Sequence, residues 1–211
     1  MGLHICYDLA AAEHADVRSV LADLRRFASA LPFADVGPLM TSADAGATLT
    51  GSEWLLPLDA NGGVHERDWE APRGMPLAAL TVAPVEWHGF HVIPGRGCES
   101  ATFGLARHRA MVEHADRRAA TGLDGRWRWH WCCKTQHASA VSWEHFMTLH
   151  GSVVSVLQHA NDLGIVEEVR DETGFWADRD WASASRRVDE MNAVVRSVRR
   201  AVEGLLDPDA D

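Results

Sequence analysis

Lysine is almost absent from this chain of 211 residues: a single lysine, Lys134, stands beside 19 arginines. A GC-rich genome produces such a bias without any functional cause. A primary amine, however, can titrate or attack where a guanidinium cannot. The presence of one lysine, Lys134, is therefore explained either by chance or by a specific function of this residue.

Long apolar runs are also missing, and a membrane-spanning helix needs about 20 predominantly apolar residues. Residues 1–8 lack the basic region and apolar core of a signal peptide. We therefore expect a cytosolic protein. The net charge is −10 with histidine neutral, whereas nucleic-acid binders usually carry a basic excess. We expect no nucleic-acid partner and no membrane partner.

Cysteine is scarce, and its spacing is uninformative for metals. The four cysteines are Cys6, Cys98, Cys132 and Cys133, and no two of them form a CxxC pair, so the common zinc spacings are absent. A cytosolic chain of this size needs no disulfide scaffold. We expect all four to be reduced, with no metal and no cofactor. A nucleophile elbow, a P-loop, an HExxH helix and a complete dinucleotide fingerprint are also absent.

What the chain does contain is an alternating stretch over residues 126–137. One face carries Trp127, Trp129, Trp131 and Cys133. The other face carries Arg126, Arg128, His130, Cys132, Lys134 and Gln136. Strict alternation and aromatic residues are typical of a half-buried strand, and each indole can bury about 150–250 Å². The pattern predicts a central strand over 126–134 with its tryptophans in the core.

The remaining periodicity predicts an α+β fold, with a mainly antiparallel β-sheet and about three helices packed on one face. Strands are predicted at 3–8, 36–40, 53–58, 80–85, 89–93, 102–107, 110–114 and 165–170, and residues 80–85 and 89–93 read as a hairpin. Helices are predicted after Asp16, after Ser142 or Ser139, and over 182–206. We expect a single domain over 1–211, with a long surface loop at 59–76 and a frayed tail at 207–211.

The polar face of the predicted strand is the first candidate site. His130 and Lys134 flank Cys132 at about 6.5–7 Å along one face. Positive neighbours stabilise a thiolate, and a cysteine beside an imidazole is the minimal arrangement for nucleophilic catalysis. The candidate catalytic residues are His130, Cys132, Lys134 and Glu172. The alternative is a solvated sheet face on which Cys132 is merely small.

Candidate ligand-binding residues are Arg96, Glu99, Arg128 and Gln136. The turn over 94–99 contains two glycines that can bring backbone N–H groups to an anion; the alternative is an ordinary Pro-Gly turn. Paired acids follow at Asp171 with Glu172 and at Asp178 with Asp180. Such pairs serve acid–base chemistry or simply begin turns.

Three segments together resemble an uncharacterised bacterial protein family with the motifs PGxGCE, WxWxxxCKTQ and RDETGxW. Here they begin at Pro94, Trp127 and Arg170. The family carries no established activity, so the resemblance implies no mechanism. It implies one structural unit, because the segments are spread from 94 to 180. The chain departs from the pattern at His137, where an aromatic is expected, and this puts a ligand role for His137 in doubt.

The absence of a recognised catalytic motif favours a domain that binds a small molecule or a protein partner without catalysis. The alternative is an enzyme that uses the Cys/His/Lys cluster on the polar face of strand 126–134, gathering Cys132, His130 and Lys134 with Glu99 and Glu172. Whether the chain is catalytic stays open at this point, as does self-association as a homodimer.

Overall fold

The computed structural model describes residues 3–44, 49–57, 79–114, 117–123 and 125–206. The strands are β1 (His4–Ala11), β2 (Asp35–Val36), β3 (Met40–Thr41), β4 (Trp54–Pro57), β5 (Ala79–Val82), β6 (Glu86–Ile93), β7 (Ala101–Arg107), β8 (Met111–His114), β9 (Arg117–Ala120), β10 (Trp127–Lys134) and β11 (Val166–Asp171). The helices are α1 (Val17–Ala28), α2 (Trp143–Asp162), α3 (Phe175–Asp178) and α4 (Trp181–Leu206), with a 3-10 turn at Gln136–Ala140. The predicted loop at 59–76 and the predicted tail at 207–211 lie outside the described residues.

A seven-stranded sheet dominates the fold, in the order β11-β1-β10-β7-β6-β2 with β3 also on β6. Its pairings are antiparallel, so the predicted α+β class is confirmed. Two small sheets, β4–β5 and β8–β9, complete the strands of the described part. The predicted hairpin of 80–85 with 89–93 is wrong. Pro84 cannot donate to a ladder, so β5 ends before it and pairs with β4, while β6 pairs with β7.

Helices α1 and α2 share the apolar core with the sheet, to which Phe175 of α3 and Ala184 of α4 also belong. Asp16 begins α1 by accepting a hydrogen bond from the Ser19 N–H at 3.1 Å, and Ser142 caps α2 in the same way. The apolar faces of α1 and α2 lie in one buried cluster with Ile5, Tyr7 and Leu9 of β1. Among the described residues, no helix has the length and apolar character needed to cross a membrane.

The tryptophan row of β10 points into the core, as predicted. Trp127, Trp129 and Cys133 are buried, and Trp131 is half-buried. Each indole N–H donates to a backbone carbonyl oxygen: Trp127 to Glu13 (3.2 Å), Trp129 to Thr102 (3.0 Å) and Trp131 to Ser100 (3.0 Å). A buried indole N–H needs such an acceptor. The row therefore supplies apolar burial and also ties β10 by side chains to the segment at 100–102.

Candidate functional site

The polar face of the sheet is built by the register of β1 on β10. The ladder sets His4 opposite Lys134, Cys6 opposite Cys132, Asp8 opposite His130, and Ala10 opposite Arg128. On the other side of β1, strand β11 sets Arg170 opposite Cys6 and Glu168 opposite Asp8. Directly opposed residues of an antiparallel pair project to the same face. We call these side chains of β1, β10 and β11 the polar face; the buried Trp127 and Trp129 lie on the other side of β10.

Cys6 and Cys132 are joined by a disulfide on the polar face, with their Cα atoms 4.0 Å apart. The expectation that all four cysteines are reduced is therefore wrong for this pair. The pairing is a property of register, because 126 residues separate the two cysteines in sequence. A nucleophilic role for Cys132 now requires reduction of this bond first, since the thiolate is the reactive form.

The other two cysteines, Cys98 and Cys133, carry free thiols. Burial raises the pKa of the Cys98 thiol to about 12. Burial also raises the pKa of Cys133, and the proximity of Cys98 and Glu99 raises it further. Both thiols therefore stay protonated near neutral pH, and a thiol is a far weaker nucleophile than a thiolate.

An imidazole oriented by a carboxylate stands beside the disulfide. His130 Nδ1 lies 2.9 Å from Asp8 Oδ1, and His130 Nε2 lies 3.8 Å from Cys132 Sγ. The Asp8 side chain is only 11% exposed. A carboxylate on Nδ1 favours the tautomer with its proton on that nitrogen, which turns the acceptor Nε2 toward the sulfur.

Arginine and glutamate side chains complete this part of the polar face. Arg170 Nη2 lies 3.4 Å from Asp8 Oδ2, and Arg170 Nε lies 3.0 Å from Glu168 Oε1. The Asp8 carboxylate thus has a guanidinium on one oxygen and the imidazole on the other. This pairing holds a nearly buried carboxylate in place, because a buried charge is tolerated only when it is paired.

An open cleft of about 420 Å³ borders the disulfide, a size within the usual range of small-ligand sites. Its lining residues are Thr50, Gly51, Glu53, Trp54, Leu55, His130, Trp131 and Cys132. Leu55 is 62% exposed, so the cleft has an accessible apolar rim. Cys132 and His130 therefore form part of a surface that a small molecule can reach.

Of the predicted catalytic residues, Lys134 and Glu172 lie at one end of the polar face. Lys134 Nζ is 3.1 Å from Glu99 Oε1. Opposite Lys134 is His4, whose Nδ1 lies 3.2 Å from Glu172 Oε2. The structure therefore brings His130, Cys132, Lys134 and Glu99 onto one face, and Glu172 reaches it through His4. Lys134 is ion-paired there with Glu99.

The predicted ligand-binding residues lie in different parts of the structure. Arg128 is on the polar face and pairs with Glu167 at 3.1 Å. Gln136 is fully buried: it accepts from the Leu3 N–H and donates to Asn192 Oδ1, both at 2.7 Å. It joins the residue before β1 to α4 inside the fold. Arg96 is exposed, and its carbonyl oxygen lies 3.0 Å from His145 Nε2, which fixes the turn against α2.

A second polar cluster is buried between α2 and the ends of β10 and β11. His150 Nδ1 lies 2.8 Å from Thr135 Oγ1, and His150 Nε2 lies 3.2 Å from Asp171 Oδ2. The side chains of His150 and Asp171 are each 1% exposed. Burial alone would raise the pKa of Asp171, but hydrogen bonds from His150, Thr173 and the Trp176 N–H outweigh it and lower that pKa. Asp171 also accepts from the Thr173 N–H at 2.9 Å, so the turn interpretation of this acid fits the contacts.

Sequence reasoning missed two members of the site, Cys6 and Asp8. Both belong to the strand predicted at 3–8, and because they are two residues apart they share one face of it. This local pattern does not reveal which strand pairs with the first strand or in which register the two strands pair. Comparison with known proteins finds no matching family model, no matching curated protein and no matching solved structure. The resemblance to a bacterial family therefore stays a prediction, and function is argued from the site alone.

Proposed function

We propose that this protein carries out thiol–disulfide exchange, with the Cys6–Cys132 pair as its reactive group. The observation that supports this is the imidazole of His130, held by Asp8 at 2.9 Å and placed 3.8 Å from the sulfur of Cys132. A disulfide that only staples two strands needs no oriented base beside it. This one also borders an open cleft, so a reactant can approach it.

The chemistry assigned to these residues is proton transfer to and from sulfur. Exchange begins when a thiolate attacks a disulfide sulfur, and His130 Nε2 can take the proton of the thiol as it approaches. In the reduced protein the same nitrogen can take the proton of Cys132, leaving a thiolate beside an imidazolium. Asp8 acts as a positioning residue, because its bond to Nδ1 fixes the tautomer.

The expected cytosolic location fits this proposal. Disulfides in the cytosol are usually transient and serve catalysis or redox sensing. The reduced site then contains the predicted Cys/His/Lys cluster, enlarged by Cys6 and Asp8. We therefore favour the enzyme alternative over binding without catalysis.

The test is the reduction of a protein disulfide, for which insulin with dithiothreitol as electron donor is a convenient assay. The wild-type protein is expected to accelerate the reaction, and Cys6→Ser and Cys132→Ser to abolish the acceleration. His130→Gln should lower the rate by about 10²-fold or more, the usual contribution of a general base. Cys98→Ser is the matched control and should leave the rate unchanged. A wild-type rate equal to that of dithiothreitol alone, with insulin and with a small disulfide such as bis(2-hydroxyethyl) disulfide, would contradict the proposal.

The cleft itself favours a second candidate, the binding of a small apolar molecule without catalysis. Its wall contains Trp54, Leu55 and Trp131, which suits an aromatic or aliphatic group. A thermal-shift screen of such compounds tests this, because binding to the native state raises apparent stability. This candidate predicts equal shifts for the wild-type and Cys132→Ser proteins and a smaller shift for Trp131→Ala. A protein partner and a homodimer stay predictions.

A further inference from the structure

We infer that an external thiol attacks Cys132 rather than Cys6, and that the preferred thiol carries an aromatic or bulky apolar group without negative charge. This inference rests on the proposed exchange function and adds to it an order of attack and a substrate class. Four features of the site support it: which sulfur borders the cleft, where the base lies, what stands beside the other sulfur, and which side chains form the wall of the cleft.

The two sulfurs of the disulfide differ in their access to the cleft. Cys132 forms part of the cleft wall together with His130 and Trp131. Cys6 lies on β1, between Cys132 of β10 on one side and Arg170 of β11 on the other. A thiol bound in the cleft therefore meets the sulfur of Cys132.

The base is placed for the same direction of attack, because His130 Nε2 is 3.8 Å from Cys132 Sγ. The incoming thiol gives its proton to Nε2, and its sulfur forms a bond to Cys132 Sγ. The Cys6–Cys132 bond breaks, and its electron pair leaves with Cys6 as a thiolate, which is then protonated. A second thiol attacks the external sulfur of the mixed disulfide, so two thiols are oxidised to one disulfide while the protein disulfide is reduced to two thiols.

The leaving sulfur belongs to the residue that pairs with Arg170 on the neighbouring strand. Arg170 is directly opposite Cys6 on the β1–β11 ladder, and opposed residues have Cβ atoms about 4.5–5.5 Å apart. Glu168 and Asp8 hold the guanidinium on this face. A nearby positive charge stabilises a thiolate, and a more acidic thiol leaves faster. Asp8 and Glu168 already pair with this guanidinium, so Cys6 is the leaving group chiefly because a thiol in the cleft reaches Cys132 first.

The substrate class follows from the wall of the cleft beyond Cys132. The half-buried Trp131 and the exposed Leu55 offer aromatic and aliphatic surface to the group attached to the thiol, while Trp54, also in the wall, is only 3% exposed. Among the described residues of that wall, Glu53 carries a carboxylate, and the whole chain carries a net charge of −10. Both charges repel an anionic thiol. A neutral aromatic or bulky apolar thiol therefore fits the cleft better than an anionic peptide thiol.

The experiment follows exchange in the reverse direction, which passes through the same mixed disulfide. The Cys6→Ser and Cys132→Ser proteins are each mixed with dibenzyl disulfide, bis(2-hydroxyethyl) disulfide or oxidised glutathione. Intact mass gives the rate of adduct formation, peptide mapping locates the adduct, and each rate is divided by that of N-acetylcysteine with the same reagent. We expect Cys132 in the first variant to react about 10-fold or more faster than Cys6 in the second. We expect the benzyl reagent to exceed the other two by about 10-fold, the effect of about 1.4 kcal/mol of aromatic contact.

Further substitutions in the Cys6→Ser protein test the substrate class separately from the order of attack. Trp131→Ala should remove the preference for the benzyl reagent, whereas Val141→Ala, at an apolar residue that is 48% exposed on another part of the surface, should retain it. Faster reaction at Cys6 would overturn the order of attack, and equal normalised rates with all three reagents would overturn the substrate class. Failure of the wild-type disulfide to react with any thiol, dithiothreitol included, would instead overturn the proposed function.

Discussion

Asp8 and His130 face each other across β1 and β10, and the Asp8 carboxylate accepts a hydrogen bond of 2.9 Å from His130 Nδ1. The same ladder, two residues along, sets Cys6 opposite Cys132. One register therefore assembles a carboxylate, an imidazole and a disulfide. A shift of β1 by one residue would move Cys6 and Asp8 to the face opposite His130 and Cys132.

The first prediction concerns thiol reactivity. The oxidised native protein should react slowly with a maleimide at pH 7, because Cys98 and Cys133 are the free thiols and the pKa of each is raised by burial. After reduction by dithiothreitol and its removal, Cys132 should be labelled first. Mass spectrometry of the labelled peptides measures both states. Rapid labelling of Cys98 or Cys133 in the native protein would contradict the assignment.

Acid sensitivity is the second prediction, and it concerns the buried pair of Asp171 and His150. The pKa of Asp171 is lowered in the fold. Its contribution to stability is therefore present above the unfolded-state pKa of about 3.9 and is lost as the pH falls through the lower folded value. Asp171→Asn should cost about 1–3 kcal/mol at pH 7 and should flatten the dependence of unfolding free energy on pH below 4.

Denaturant unfolding between pH 2 and pH 7 measures this effect. Asp178→Asn is the control, because that residue is exposed. Its substitution should leave the dependence of the unfolding free energy on pH below 4 unchanged. An Asp171→Asn protein with the full wild-type pH dependence would show that the carboxylate does not contribute as described.

A third prediction concerns two donors that share one acceptor. The Tyr7 hydroxyl and the Trp129 indole N–H both donate to the carbonyl oxygen of Thr102, at 2.8 and 3.0 Å. Either donor alone keeps this buried carbonyl satisfied. Tyr7→Phe and Trp129→Phe together should therefore destabilise the protein by more than the sum of the single changes, with a coupling of about 0.5–3 kcal/mol.

The control cycle combines Tyr7→Phe with Trp127→Phe, because the Trp127 indole donates to Glu13 instead. That pair should be additive within experimental error. Additive costs for Tyr7→Phe and Trp129→Phe would mean that the two hydrogen bonds act independently.

The fourth prediction compares two glycines with positive φ. Gly97 has φ 82°, and a Cβ there would lie 2.7 Å from the backbone nitrogen of Ala138. Gly164 has φ 73°, but nothing lies within 4 Å of its Cβ position. Gly164→Ala should cost about 1–2 kcal/mol, the price of the left-handed conformation, and Gly97→Ala should cost clearly more. Equal losses of unfolding free energy would show that the turn can move away from residues 137–138.

The fold could be predicted from the sequence where local patterns carry it. The alternation of 126–134 located β10 and the direction of its tryptophans, and Asp16 and Ser142 marked the starts of two helices. The prediction failed beyond the end of this strand. The period-two pattern was extended to Gln136, but β10 ends at Lys134 and a 3-10 turn follows, so the Gln136 side chain points into the fold.

Only the part of the site that lies on β10 could be predicted from the sequence. His130, Cys132 and Lys134 share one strand, so their common face follows from period two alone. Cys6 and Asp8 come from a strand more than a hundred residues away, and no local pattern states its partner or its register. The same limit hid the His150–Asp171 contact, which joins a helix to the end of a strand.

The most direct test of the account is a redox titration of the folded wild-type protein in buffers of reduced and oxidised glutathione. Each sample is quenched with acid and labelled with a maleimide, and the thiols are counted by mass and assigned by peptide mapping. The account predicts a transition from two to four thiols per chain, with Cys6 and Cys132 gained together and with unchanged secondary structure throughout. A disulfide that opens only when the protein unfolds, or a Cys6–Cys132 bond that never forms, would contradict it.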